Sequence, residues 1–186
     1  MSRGVKTNGE VLIMTDFEAW PKTRRFEKAC IVFTEKIDGT NAQIYIKDGV
    51  MKVGSRNRWI TREDDNFGFA NWAYDNQEEL IEFLGEGRHF GEWWGQGIQR
   101  RYDMDRKVFS LFNTSRWKFI QENPDQQFIC DVVPFIIRSL DYDKEELDEY
   151  FLTKSLAAAK YGVEYTNPEG YMFYTADNMY KNPVNK

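Results

Sequence analysis

Residues 33 to 54 read FTEKIDGTNAQIYIKDGVMKVG. In the second half, from Ala42 to Gly54, two short runs alternate apolar and polar side chains and are joined at Asp48 and Gly49. Positive φ is tolerated at that junction, so the pattern predicts a β-hairpin over 42–54. Just ahead of it, Lys36, Asp38 and Gly39 sit among residues that prefer strands, which predicts a strand leading into the hairpin. A lysine at the end of a strand acts as a nucleophile when its amine is neutral, and neutrality near pH 7 requires desolvation or nearby positive charge. Asp38 is then a candidate to orient a ligand hydroxyl or help hold a metal, and Gly39 lets the backbone turn and approach a ligand closely.

The rest of the chain reads as the surroundings of that segment. With 186 residues, 41% of them hydrophobic, it fits a single domain over 1–186 with a substantial core. Its 14 Phe, 10 Tyr and 6 Trp point to a core rich in flat rings, with some left over to stack on ligands. DNQEELIEFLGEG, starting at Asp75, predicts a helix capped by that aspartate, with Leu80, Ile81 and Leu84 facing inward and Gly85 as its stop. A second helix is predicted from Asp143, with Glu146 completing a capping box, continuing with a break to Gly162. RHFGEWWG, KVFSLFN, QQFICDVVPFII and GYMFYT read as strands. Antiparallel strands with helices set between them predict an α+β domain, with a cleft where two sheets face each other.

No apolar run approaches the roughly 20 residues of a membrane span, and the N-terminal stretch lacks a signal-peptide core. Cys30 and Cys130 lie in unrelated contexts, which indicates neither a disulfide framework nor a zinc site and is natural in a reducing cytoplasm. A net charge of −5 argues against binding polyanions through bulk charge, although cations gather in KTRRFEK, SRNRWITR and QRRYDMDRK. By itself Lys-x-Asp-Gly is weak evidence, since it arises by accident in a chain of this length about once in thirty.

The order of further segments carries more weight. EKIDGTN resembles motif I of the covalent nucleotidyltransferases, the superfamily of ATP-dependent polynucleotide ligases and messenger-RNA capping enzymes. SRNRWIT resembles motif Ia, FGEWWG motif III, VFSLFN motif IIIa, PEGYMFY motif IV and MYKNPVNK motif V, in the superfamily's order from Glu35 to Lys186. Asn41 and FGEWWGQGIQRRY are similar to the nick-sealing RNA ligase branch, including compact ligases of phages.

The resemblance implies an α+β nucleotidyltransferase (adenylation) domain of antiparallel sheets with flanking helices around a nucleotide cleft, without an OB-fold domain. It implies an ATP- and Mg²⁺-dependent ligase acting on 5′-phosphate and 3′-hydroxyl nucleic-acid ends. Lys36 would take AMP from ATP, with Glu35, Ile37, Asp38 and Asn41 lining the nucleotide. Glu92 matches the ribose-binding glutamate, Phe112 the ring stacked on adenine (Phe109 if the alignment slips), Arg56 a phosphate contact and Glu169 a metal carboxylate. Lys181 matches a motif V lysine that grips the α-phosphate, although Met179 stands where many relatives carry a first lysine and the next is Lys186. Arg58, Arg62, Arg100 and Arg101 are further candidates for nucleic-acid contact, while Trp93 and Trp94 are assigned to the core and His89 to a structural hydrogen bond. The chain stops five residues after Lys181, which leaves strand gripping to the domain's own surface or to an accessory nucleic-acid-binding protein. Two other readings stay open: a catalytically silent nucleotide- or nucleic-acid-binding module, and a capping-type guanylyltransferase.

Overall fold

A computed structural model describes residues 30–175. Nine strands and five helices form the described residues into two sheets. The smaller sheet has the order β8-β1-β9, from β1 (Cys30–Glu35), β8 (Phe135–Ser139) and β9 (Tyr171–Thr175). The larger has the order β4-β3-β2-β5-β6-β7, built from β2 (Thr40–Lys47), β3 (Val50–Ser55), β4 (Trp59–Ile60), β5 (Gly87–Gly95), β6 (Lys107–Leu111) and β7 (Asp131–Val132). All pairings are antiparallel except β6 with β7, which run parallel.

The expected hairpin is β2 and β3, with Asp48 at φ 52° and Gly49 at φ 72° in the turn. Alternation along its strands puts Ala42, Ile44, Ile46, Met51 and Val53 on one face. There they pack with Trp93, Phe109 and Leu111 of the neighbouring strands and with α1 (Phe69–Asp75), α2 (Gln77–Leu84) and α3 (Thr114–Glu122). Phe69 lies 5.4 Å from Trp93 and 5.0 Å from Phe109 between ring centroids. Such ring pairs add about 0.5–1.5 kcal/mol each beyond their buried area. Trp94, one residue on, points to the other face and packs with Tyr102 and Ile37 in a second cluster, so the two tryptophans serve the core on opposite sides as expected.

Other expectations shift in detail. Asp75 ends α1 rather than capping α2, and its carboxylate pairs with Arg62 at 2.7 Å. Asn76 occupies the cap of α2, which stops at Gly85 as expected, with φ 68° there. The start of α1 is held by Asp65, whose carboxylate accepts from the backbone N–H groups of Ala70 at 2.7 Å and Asn71 at 3.1 Å. Asp143 does cap α4 (Lys144–Leu152), accepting from Glu145 N at 2.8 Å. No capping box closes there, because the Glu146 carboxylate takes Arg138 at 3.0 Å. After the expected break, Ser155 caps a separate short helix, α5 (Leu156–Ala159). The run 126–137 divides at Val133 and Pro134 into β7 in one sheet and β8 in the other. Among the described residues no helix is long and apolar enough to cross a membrane.

Candidate active site

Strand β1 lies in the small sheet and β2 in the large one, so residues 36–39 are the crossing between them. This short crossing is tied down almost atom by atom. Glu35 N donates to Pro134 O and Lys36 N to Gly170 O, each at 2.9 Å. Asp38 N donates to the Tyr102 hydroxyl at 2.7 Å, and Gly39 N to Glu92 Oε1 at 3.1 Å. A backbone fixed by that many unlike partners presents its side chains in one geometry, which is what positional catalysis requires.

Gly39 is needed here for closeness. A Cβ on it would lie 2.5 Å from Trp93 O and 2.7 Å from Trp94 Cβ. The sequence suggested a glycine for turning; the structure shows one that lets the crossing lie flat against β5.

The Lys36 side chain, 48% exposed, reaches the Glu169 carboxylate as an ion pair. That pairing follows from register: β1 and β9 are antiparallel with Glu35 opposite Tyr171, so residues 36 and 169 meet just past the paired ends. Glu92 comes from the other sheet, where it sits opposite Asn41 and accepts from Asn41 Nδ2 at 2.7 Å. Asp38 accepts from Arg100 Nε at 3.0 Å, while Arg100 Nη1 donates to Asn167 O at 3.0 Å. Three carboxylates and the lysine therefore gather where the sheets meet, close enough that Glu169 and Asp38 act electrostatically on Glu92.

Burial pushes the Glu92 carboxyl up to about 7, against the opposing hydrogen bonds from Asn41 and Gly39 and with the help of the Glu169 and Asp38 charges. At neutral pH it is thus divided between a form that only accepts and one that also donates, and both suit a sugar hydroxyl. A carboxyl with a raised folded pKa binds more protons folded than unfolded. Its contribution to stability is therefore present below the unfolded value of 4.5 and is lost as pH rises toward about 7. Urea unfolding should show Glu92→Gln flattening this slope, removing on the order of 2 kcal/mol from the difference between about pH 5 and about pH 8. An unchanged slope would mean that Glu92 titrates normally.

The remaining expected residues fall into distinct groups. Phe112 follows β6 and is 40% exposed, whereas Phe109 is fully buried against Phe69 and Trp72. Glu92 pairs with Ser110 across β5 and β6, so alternation puts Phe112 on the Glu92 face and Phe109 on the opposite one. Arg56 is exposed on the turn after β3. Arg58 pairs with Asp64 and Arg62 with Asp75, both at the surface, and Arg101 is exposed with φ 61°. Arg100 was expected on a nucleic-acid surface, but its guanidinium is engaged by Asp38 and Asn167.

Ile37 is buried in the cluster with Trp94. The Glu35 carboxylate, expected beside the nucleotide, instead accepts from Ser155 Oγ at 2.6 Å and Ala157 N at 2.8 Å. It thereby closes the N-terminus of α5 and locks the end of β1 in place. His89 Nε2 lies 3.0 Å from Gly85 O, a structural contact within the fold. Lys181, Met179, Lys186 and the KTRRFEK cluster lie outside the described residues.

Tyr102 and the positioning role of Arg100 escaped sequence reading, because their partner Asp38 is 64 and 62 residues away along the chain. Among the described residues no three His, Cys, Asp or Glu side chains converge as a closed metal cage. The hard oxygens of Glu169 and its neighbours nonetheless fit Mg²⁺, which commonly takes one or two carboxylates and completes its shell with water and phosphate oxygens.

Comparisons with known proteins agree with this fold. Naegleria gruberi RNA ligase with pyrophosphate matches with a TM-score of 0.55 and 20% identity, over 92% of this chain and 60% of that one. A mutant of that ligase with ATP and Mn matches with a TM-score of 0.55 and 22% identity, over 81% and 48%. Another, with AMP and Mn, gives a TM-score of 0.56 and 22% identity over 81% and 47%. The chain thus spans about half the length of these solved relatives, and at this identity the likeness establishes the α+β fold. No curated protein matches the chain. The sequence pattern of the family described as RNA ligase matches residues 30–185, the whole of the two-sheet structure and beyond it, and the chain belongs to that family.

Proposed function

We propose that the protein is an ATP-dependent polynucleotide ligase, its two sheets working as one adenylation domain. The observation that carries this reading is the fixed crossing at 36–39, which aims the Lys36 amine at Glu169 beside Glu92. Lys36 Nζ, as the free base, attacks the α-phosphorus of ATP. A P–N bond forms, the bond to pyrophosphate breaks, and the amine proton leaves to solvent. A nucleic-acid 5′-phosphate then attacks the lysyl-AMP phosphorus and takes the AMP, releasing the lysine. Finally a 3′-hydroxyl attacks the activated 5′-phosphate, forming the phosphodiester and expelling AMP.

The chain's own part is positioning and charge. Glu92 and Asn41 hold the ribose, Phe112 stacks on the adenine, and Arg56 and Lys181 take phosphate oxygens. Ile37 packs the crossing from below, and Arg100 and Glu35 keep Asp38 and Lys36 in place. Glu169 would hold Mg²⁺, which when bound would supply positive charge to the α-phosphate and its leaving group. The relatives with ATP, AMP and Mn support these assignments of ATP and a divalent metal. Arg58, Arg62 and Arg101 extend the phosphate-binding surface. The enzyme acts in the cytoplasm, a host's if it is phage-encoded, with an accessory nucleic-acid-binding protein as a candidate partner.

Strand joining tests the reading. A 5′-phosphorylated RNA and an RNA with a free 3′-hydroxyl, annealed at a nick and incubated with ATP and Mg²⁺, should yield one longer strand on a denaturing gel. An AMP adduct on the protein without any joined strand would reduce it to an adenylation enzyme of other purpose.

A further inference from the structure

The large sheet keeps one face for the helices, and register shows what the other carries. Directly opposed residues of antiparallel strands point to the same side. Asn41 and Glu92 form one row of that side, and the next row runs Trp59, Gly54, Gln43 and Phe90, with Phe112 following on from β6. A third row places Lys52, Tyr45 and Arg88 side by side.

These residues are unusually open for their type: Trp59 is 46% and Phe90 48% exposed. The Arg88 guanidinium lies 4.3 Å from the Tyr45 ring centroid and 5.3 Å from that of Trp59, and the two rings are 6.2 Å apart. Arg88 also donates to Gln43 Oε1 at 3.0 Å, which fixes its plane. Glu86, the acid just before β5, is turned to the backbone N–H groups of Asp48 and Gly49 at 3.1 Å each. The surface is thus cationic and aromatic, and it continues without a break from the row that holds Glu92.

We infer that Trp59, Tyr45 and Arg88 form a stacking platform for unpaired bases of a single nucleic-acid strand whose end lies at Lys36. Flat rings beside cations are the means by which sequence-tolerant sites hold single strands, the rings taking bases and the cations the backbone. Lys52 lies beside Tyr45 near the hairpin turn and Arg56 follows the other end of β3, toward the Asn41 row, so phosphate contacts are available at both ends of the platform. The inference rests on the ligase reading for the position of the strand's end, and on the sheet face alone for binding.

The test uses the full chain without ATP and a short fluorescein-labelled single-stranded RNA, read by anisotropy, so it is independent of adduct formation. Trp59→Ala should weaken binding about 10-fold, Trp59→Phe should restore most of it, and Arg88→Ala should weaken it comparably. On a strand of the same length made abasic, wild type and Trp59→Ala should bind alike. Circular dichroism confirms that each variant is folded. Equal RNA affinity for wild type, Trp59→Ala and Arg88→Ala would overturn the platform, as would the same loss on the abasic strand. Trp59-dependent binding by a protein that forms no AMP adduct would support the platform while overturning the ligase reading.

Discussion

Lys36→Ala should leave the protein folded and lower pyrophosphate release from ATP by at least about 1000-fold, because no other group can replace a covalent nucleophile. The folded part of this expectation comes from the surroundings of the side chain. Lys36 is half-exposed, and the crossing is held through backbone N–H groups and through Glu35, Tyr102 and Glu92, none of which needs the amine. Thermal melting of the variant within a few degrees of wild type would separate lost chemistry from lost structure. Release at the wild-type rate would show that ATP is attacked by something else.

The second large effect belongs to Glu169. In the structure it is the partner of Lys36, and two roles follow with opposite consequences. If it only neutralises the ammonium, Glu169→Ala frees the amine and adenylation speeds up or stays level. If it passes from the lysine to a metal when ATP arrives, its loss removes charge stabilisation from the reacting phosphate. The second role is the one expected: adduct formation should fall by about 100-fold, with a raised Mg²⁺ requirement in a titration of the initial rate. An unchanged rate and Mg²⁺ midpoint would reassign Glu169 as no more than the ion-pair partner of Lys36.

Signals that were local in the chain were legible in it. Asp48 and Gly49 announced the hairpin, Asp143 the start of α4 and Gly85 the end of α2. Signals that depend on distant partners were not. Asp65 caps α1 from several residues upstream, and Pro134 divides an apparently continuous strand run between two sheets that only the folded chain defines. Asn113, accepting from Arg116 N at 3.1 Å, opens α3 with Trp117 and Ile120 inward, a pattern visible in the sequence but masked by the strand before it.

The same division holds at the site. The segment around Lys36 stood out from its resemblance, while the reason for its rigidity lay in Tyr102, Glu92 and Gly170, which no spacing rule connects to it. Glu35 shows the converse. A position adjacent to Lys36 looked like a ligand contact, and its carboxylate accepts from Ser155 Oγ, the cap residue of α5, and from Ala157 N. Phe112 and Phe109 differ by strand parity, which the sequence contains, and register with Glu92 puts Phe112 on the Glu92 face.

The most direct test is intact mass measurement of the wild-type protein after incubation with ATP and Mg²⁺, followed by fragmentation of the modified peptide. The expected result is a gain of one adenylyl group carried on Lys36, and no gain with GTP. An adduct on another residue, a guanylyl group from GTP, or no gain with either nucleotide would contradict it.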